Sequence, residues 1–81
     1  KYAEHKLISV VLNEKVELKK LKEIGEIKEF VYPHVNFEVK KQQTSILAAK
    51  ILEELPVADL NIEEPPIEEI IRDLFTKKNY Q

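Results

Sequence analysis

Four carboxylates, Glu63, Glu64, Glu68 and Glu69, crowd one junction near the end of this 81-residue chain. Acidic side chains at that density could hold a divalent cation or dock a basic partner. The simpler reading is a favourable charge set at a helix N-terminus, where the macrodipole stabilises negative charge. His5 and His34 are the only histidines. Neither stands in a motif that would make it a general base or a metal ligand, and solvated or structural roles suit both. A zinc site would need three or four ligands at suitable spacing, and the sequence offers no such set.

Nucleotide chemistry fares no better. A phosphate-binding loop needs several glycines so that backbone N–H groups can wrap the anion. Gly25 is the only glycine. Phe30, Tyr32 and Phe37 could suggest a sheet that stacks RNA bases. Such a sheet carries its aromatics in a Gly- and basic-rich third-strand signature, which VNFEVK at 35–40 lacks. The net charge is −2 and the isoelectric point about 5.7, so nucleic acid is not expected as a partner. The three aromatics read as core. No catalytic, cofactor-binding or metal-ligating residue is assigned, and this stretch of chain is not expected to be an enzyme.

Length and composition set the frame. The chain has room for one domain, residues 1–81, and one modest core. A domain of this size buries only about 60–65% of its unfolded surface, so its stability is expected to be marginal. There is no cysteine to staple it. Charged residues of both signs make up 35% of the chain and hydrophobic ones 43%, the balance of a folded domain with a well-solvated surface. No apolar run approaches the ~20 residues of a membrane span, so direct insertion in a membrane is not expected. The chain opens on Lys1 and has no methionine. That suggests either a fragment cut from a longer protein, whose missing part would then be where active chemistry is expected, or the loss of tag residues.

Residues 6–13 should form a strand in which Ile8, Val10 and Leu12 face one way and Leu7, Ser9 and Val11 the other. Both faces are largely apolar, which marks a central strand. Residues 17–24 read as a short helix with Leu18, Leu21 and Ile24 on one side. Gly25 stands where a left-handed C-terminal cap is wanted. Residues 26–32 and 35–40 should pair as a hairpin turning at Pro33 and His34, with Val35, Phe37 and Val39 facing inward. A second helix over 44–55 has Thr44 or Ser45 as its N-cap and Ala48, Ile51, Leu52 and Leu55 as its buried stripe. Pro56 stops it, and residues 57–62 form the fourth strand. After Pro65 and Pro66, an amphipathic helix carries Ile67, Ile70, Ile71, Leu74 and Phe75 on one side.

The element order spells βαββαβ plus one helix. The expected fold is α+β, a ferredoxin-like split βαβ with a four-stranded antiparallel sheet and an extra C-terminal helix. Right-handed crossovers would put the first two helices on one face. The first and fourth strands are expected at the centre. The other face would expose Leu7, Val11 and part of the second strand. The last helix, another domain or a second copy could cover that surface.

The end of the chain resembles the C-terminal accessory region of ABC transporter ATP-binding subunits. The residues that carry the resemblance are Val57 to Ile62, then Glu63-Glu64-Pro65-Pro66, then Ile67-Glu68-Glu69-Ile70-Ile71. The lysine-rich opening strand His5-Lys6-Leu7-Ile8-Ser9-Val10 and the helix from Leu18 to Gly25 are similar too. The resemblance implies a non-catalytic accessory or regulatory domain that serves ATP-driven transport through packing and partner contacts. Its partners would be the subunit's own nucleotide-binding core and the membrane-spanning subunits, with a homodimer left open. ATP and Mg would be bound by the parent protein and no cofactor by this stretch. The location implied is cytoplasmic, peripheral at the inner face of the membrane. The alternative is a stand-alone ferredoxin-like domain that senses a small molecule.

Overall fold

A computed structural model describes residues 4–64. It is an α+β unit, a four-stranded antiparallel sheet with two α-helices. The elements are β1 (His5–Leu12), α1 (Leu18–Ile24), β2 (Glu26–Val31), β3 (His34–Lys40), α2 (Thr44–Glu54) and β4 (Val57–Glu63), with a 3-10 turn at Lys41–Gln43 before α2. The expected helix after Pro66 lies outside the described residues.

The strands run in the order β2-β3-β1-β4. The centre of the sheet is therefore β1 and β3, where the sequence had suggested β1 and β4. On β4, Asp59, Asn61 and Glu63 alternate with apolar positions, as Asn36, Glu38 and Lys40 do on central β3, so the alternation alone places neither strand and the pairings do. The hairpin places β3 beside β2, and β1 then pairs with both β3 and β4. Because every pairing is antiparallel, β1 and β2 run parallel with β3 between them. By the same reasoning β3 and β4 run parallel with β1 between them.

One core fills one face of the sheet. Ile8, Val10 and Leu12 of β1 and Val35, Phe37 and Val39 of β3 meet Leu21 and Ile24 of α1 and Ala48 and Ile51 of α2. Leu55, just past α2, completes it. The pairings Ile8↔Phe37 and Val10↔Val35 set these side chains opposite each other on the same side. Both helices thus share a face. The helix α2 packs over β1 and β3, and α1 packs beside β2. Less cover reaches β4, where Leu60 is half-buried and Ile62 is exposed.

Four local expectations need correction. Gly25 is extended, at φ −171° and ψ −177°, and does not form a left-handed cap. The helix α1 runs straight into β2, so the chain must extend there. The position is closely packed instead. A Cβ at this position would come within 3.2 Å of Leu47 Cδ2 and 3.3 Å of Phe37 Cδ1. Replacing Gly25 with alanine should therefore cost stability despite the entropy gained in the unfolded chain, by about 1 kcal/mol net. Urea unfolding would show it as a lower midpoint with an unchanged slope.

Thr44 does not act as the N-cap of α2, a position that falls to Gln43 with no side-chain bond. Thr44 is buried, and its hydroxyl donates to the carbonyl of Lys41 at 2.9 Å. It joins Ala48, Ile51 and Leu55 in the inward stripe. Leu52, expected in that stripe, is 58% exposed. Leu18 on α1 is likewise exposed, while Leu21 and Ile24 are buried as expected.

Candidate interaction surface

The junction carboxylates do not assemble into a site among the described residues. Successive residues of an extended chain point to opposite faces, so Glu63 and Glu64 diverge. Glu63 sits opposite Leu7 on the face away from the helices. Glu64 is already paired, its Oε2 accepting a hydrogen bond from Lys6 Nζ at 2.7 Å. The Lys6 ammonium, by that hydrogen bond and by its charge, holds the Glu64 carboxyl below the usual carboxylate range. Glu68 and Glu69 lie outside the described residues. No group of three or more His, Cys, Asp or Glu side chains among the described residues could hold a metal ion.

The histidines stand apart. His5 pairs with Lys40 at one end of the β1–β3 ladder, and His34 pairs with Val11 at the other. Six residues of strand separate the two ends, about 20 Å. Both rings are exposed. The aromatics also part company. Phe37 is fully buried, Phe30 packs against the core, and Tyr32 lies exposed in the hairpin turn with Lys15 Nζ 6.0 Å from its ring centroid. They form no row on which bases could stack.

A groove of about 460 Å³ opens beside Gly25, lined by Ile24, Val39, Ile46 and Leu47 with His5 and Lys50 at its rim. Among the described residues no buried side-chain nitrogen or oxygen lacks a partner. Glu26, Glu38, Lys40 and Gln43 line the groove as well, so its polar groups are solvent-accessible side chains and none is buried and unpartnered.

The surface that stands out is built from the β4 edge. Among the described residues strand β4 pairs only with β1, so no described strand takes up the backbone N–H and C=O groups of its outer edge. The other edge, β2, carries Glu26 and Glu29 and an irregularity between Ile27 and Glu29, and β4 likewise carries Asp59 and Glu63 and an irregularity between its Val57 and Asp59 positions. Strand β4 has no irregularity between Asp59 and Glu63. Ile62, opposite Ile8 on the helix-covered side, is 47% exposed. On α2, Leu52 and Ile46 are also exposed. Ile62 and that edge can receive a partner through main-chain bonds and side-chain burial together, whereas Ile46 lines the groove beside Gly25 on the β2–β3 side.

The sequence reading missed this surface because it placed β4 inside the sheet. One signal pointed to exposed apolar side chains: α2 with the residue after it carries Ile46, Leu47, Ile51, Leu52 and Leu55, more large apolar side chains than one stripe can bury.

Among the described residues no helix is long and apolar enough to cross a membrane. The family model described as EvrA-like ABC transporter, C-terminal domain, matches residues 4–63. No curated protein and no solved structure matches the chain.

Proposed function

The chain belongs to the family of EvrA-like ABC transporter C-terminal domains, and on that premise we propose that it is a non-catalytic accessory domain acting through partner contacts. The observation that carries this reading is the β4 edge. It has no strand partner among the described residues, is free of irregularity over Asp59–Glu63, and is flanked by exposed Ile62. The partner is the nucleotide-binding core of the same transporter, which binds ATP and Mg. Contact there would tune the dimerisation of the core or its coupling to the membrane-spanning subunits. The domain would then work on the cytoplasmic side of the membrane. The two crossovers, each joining parallel strands with a third between them, support reading the fold as a ferredoxin-like split βαβ.

The test uses the purified 81-residue protein and a separately produced nucleotide-binding core. The domain alone should hydrolyse no ATP above background and should bind the core. Ile62→Lys should weaken that binding by about tenfold or more if Ile62 is a buried anchor of the contact. The exposed position makes this variant nearly neutral for folding, within about 0.5 kcal/mol. Hydrolysis by the domain alone, or binding indifferent to the substitution, would overturn the proposal.

A further inference from the structure

The groove beside Gly25 exists because β2 and β3 stop at different places. Strand β2 begins at Glu26, opposite Glu38, whereas β3 runs on to Lys40. Val39 and Lys40 therefore pair with β1 on one side and with no described strand on the other. Upstream of Glu26 the chain turns away into α1, and the first turns of α2 line the same space. Ile24 and Val39, both buried, and half-buried Leu47 make an apolar floor, which 69% exposed Ile46 continues towards solvent. Gly25 gives the wall backbone alone, and a Cβ there would come within 3.2 Å of Leu47 Cδ2.

The polar lining carries both signs. Glu26 and Glu38 stand directly opposite each other across the β2–β3 ladder, a placement of like charges that is unfavourable unless a cation intervenes. Lys40 lies two residues beyond Glu38 on the same side of β3, about 7 Å along the strand. Lys50 of α2 adds a second ammonium to the lining. No ion pair among the described residues neutralises Glu26, Glu38, Lys40 or Lys50. A ligand of one sign meets a like charge here. A plain carboxylate drawn to Lys40 would face Glu38, and a plain amine drawn to the glutamates would face Lys40. A molecule with an ammonium and a carboxylate side by side complements both. An apolar group on that molecule would be buried against the floor. The groove, about 460 Å³, has the size of a small-ligand site.

We infer that this groove binds a free α-amino acid with a large apolar side chain. The ammonium lies between Glu26 and Glu38, the carboxylate meets Lys40, and the side chain covers Ile24, Val39 and Leu47. The site is on the β2 side of the sheet, away from β4, so it goes beyond the proposed partner contact and does not depend on it.

Gly25 is the only glycine, so its amide is an unambiguous reporter in an NMR spectrum of the full chain. Phenylalanine at millimolar concentration should shift the Gly25 signal along a saturating curve. Alanine, with both charges and a single methyl, should bind at least about tenfold more weakly. Phenethylamine lacks the carboxylate and phenylpropionate lacks the ammonium. Each should bind about threefold more weakly or worse, the scale of one exposed charge contact. Two variants separate the charges. Glu38→Gln should weaken phenylalanine without weakening phenylpropionate, and Lys40→Gln should weaken phenylalanine without weakening phenethylamine. A merely structural effect would weaken every ligand together, and circular dichroism of each variant checks that the protein tested is folded. A Gly25 signal that does not move, an amine or acid that binds as tightly as the amino acid, or variants that leave its binding unchanged would each overturn the inference. None of these results touches the β4 reading.

Discussion

Replacing Phe37 with alanine is expected to leave the domain largely unfolded at 37 °C. Phe37 is fully buried and faces Ile8 on β1 and Ile27 on β2 across the two ladders of the central strand. Its ring also approaches the Gly25 backbone. Truncating a buried phenylalanine costs about 3–5 kcal/mol, lost transfer energy and cavity together. A domain of 81 residues has about 4–12 kcal/mol in total. At the lower half of that range, the loss equals the stability. Thermal unfolding followed by circular dichroism would show the transition broadened and shifted to or below physiological temperature. Phe37→Leu should keep a cooperative transition with a smaller loss, because most of the volume remains.

The second large effect is a contrast between neighbours. Ile51 is completely buried and Leu52 is 58% exposed. Ile51→Ala should lower stability by about 2–4 kcal/mol. Leu52→Ala should change it by no more than about 0.5 kcal/mol, because an exposed helix position has little to lose. In urea, with a slope near 1 kcal/mol/M for a small domain, the first variant moves the midpoint by roughly 2–4 M and the second barely moves it. Equal losses at both positions would mean that α2 is rotated from the orientation described. The same pair separates folding from function, since Leu52 is free to serve a partner and Ile51 is not.

Strand β1 was legible because its apolar residues fill both faces, which only a central strand needs. The hairpin of β2 and β3 was legible from the clean alternation of Val35, Phe37 and Val39 with Asn36, Glu38 and Lys40. The place of β4 was not. Its apolar side repeats at the spacing of any half-buried strand, and periodicity reports burial on a face, not position in a sheet. Leu52 went astray for a related reason. It lies about 100° around the helix from Ile51, so a stripe drawn with one extra apolar neighbour takes it in. Gly25 was read as a left-handed cap and is extended instead; what crowds it is the approach of Leu47 and Phe37, contacts distant in sequence. The junction glutamates looked like a cluster because they are close in sequence. An extended backbone sends Glu63 and Glu64 to opposite sides, and Lys6 had already claimed one of them. The family resemblance rested on packing patterns spread along the chain, and the family match over residues 4–63 covers most of that same stretch.

Burial and edge exposure divide this domain into a part that folds it and a part that remains to be used. The first is the core between β1, β3 and the two helices. The second is β4, with Ile62 on its helix-covered side. Amide hydrogen exchange of the domain, measured alone and with the nucleotide-binding core added, tests that division most directly. The account predicts new protection along Asp59–Glu63, with no change along β2. Protection that rises along β2 alone, or nowhere, would contradict it.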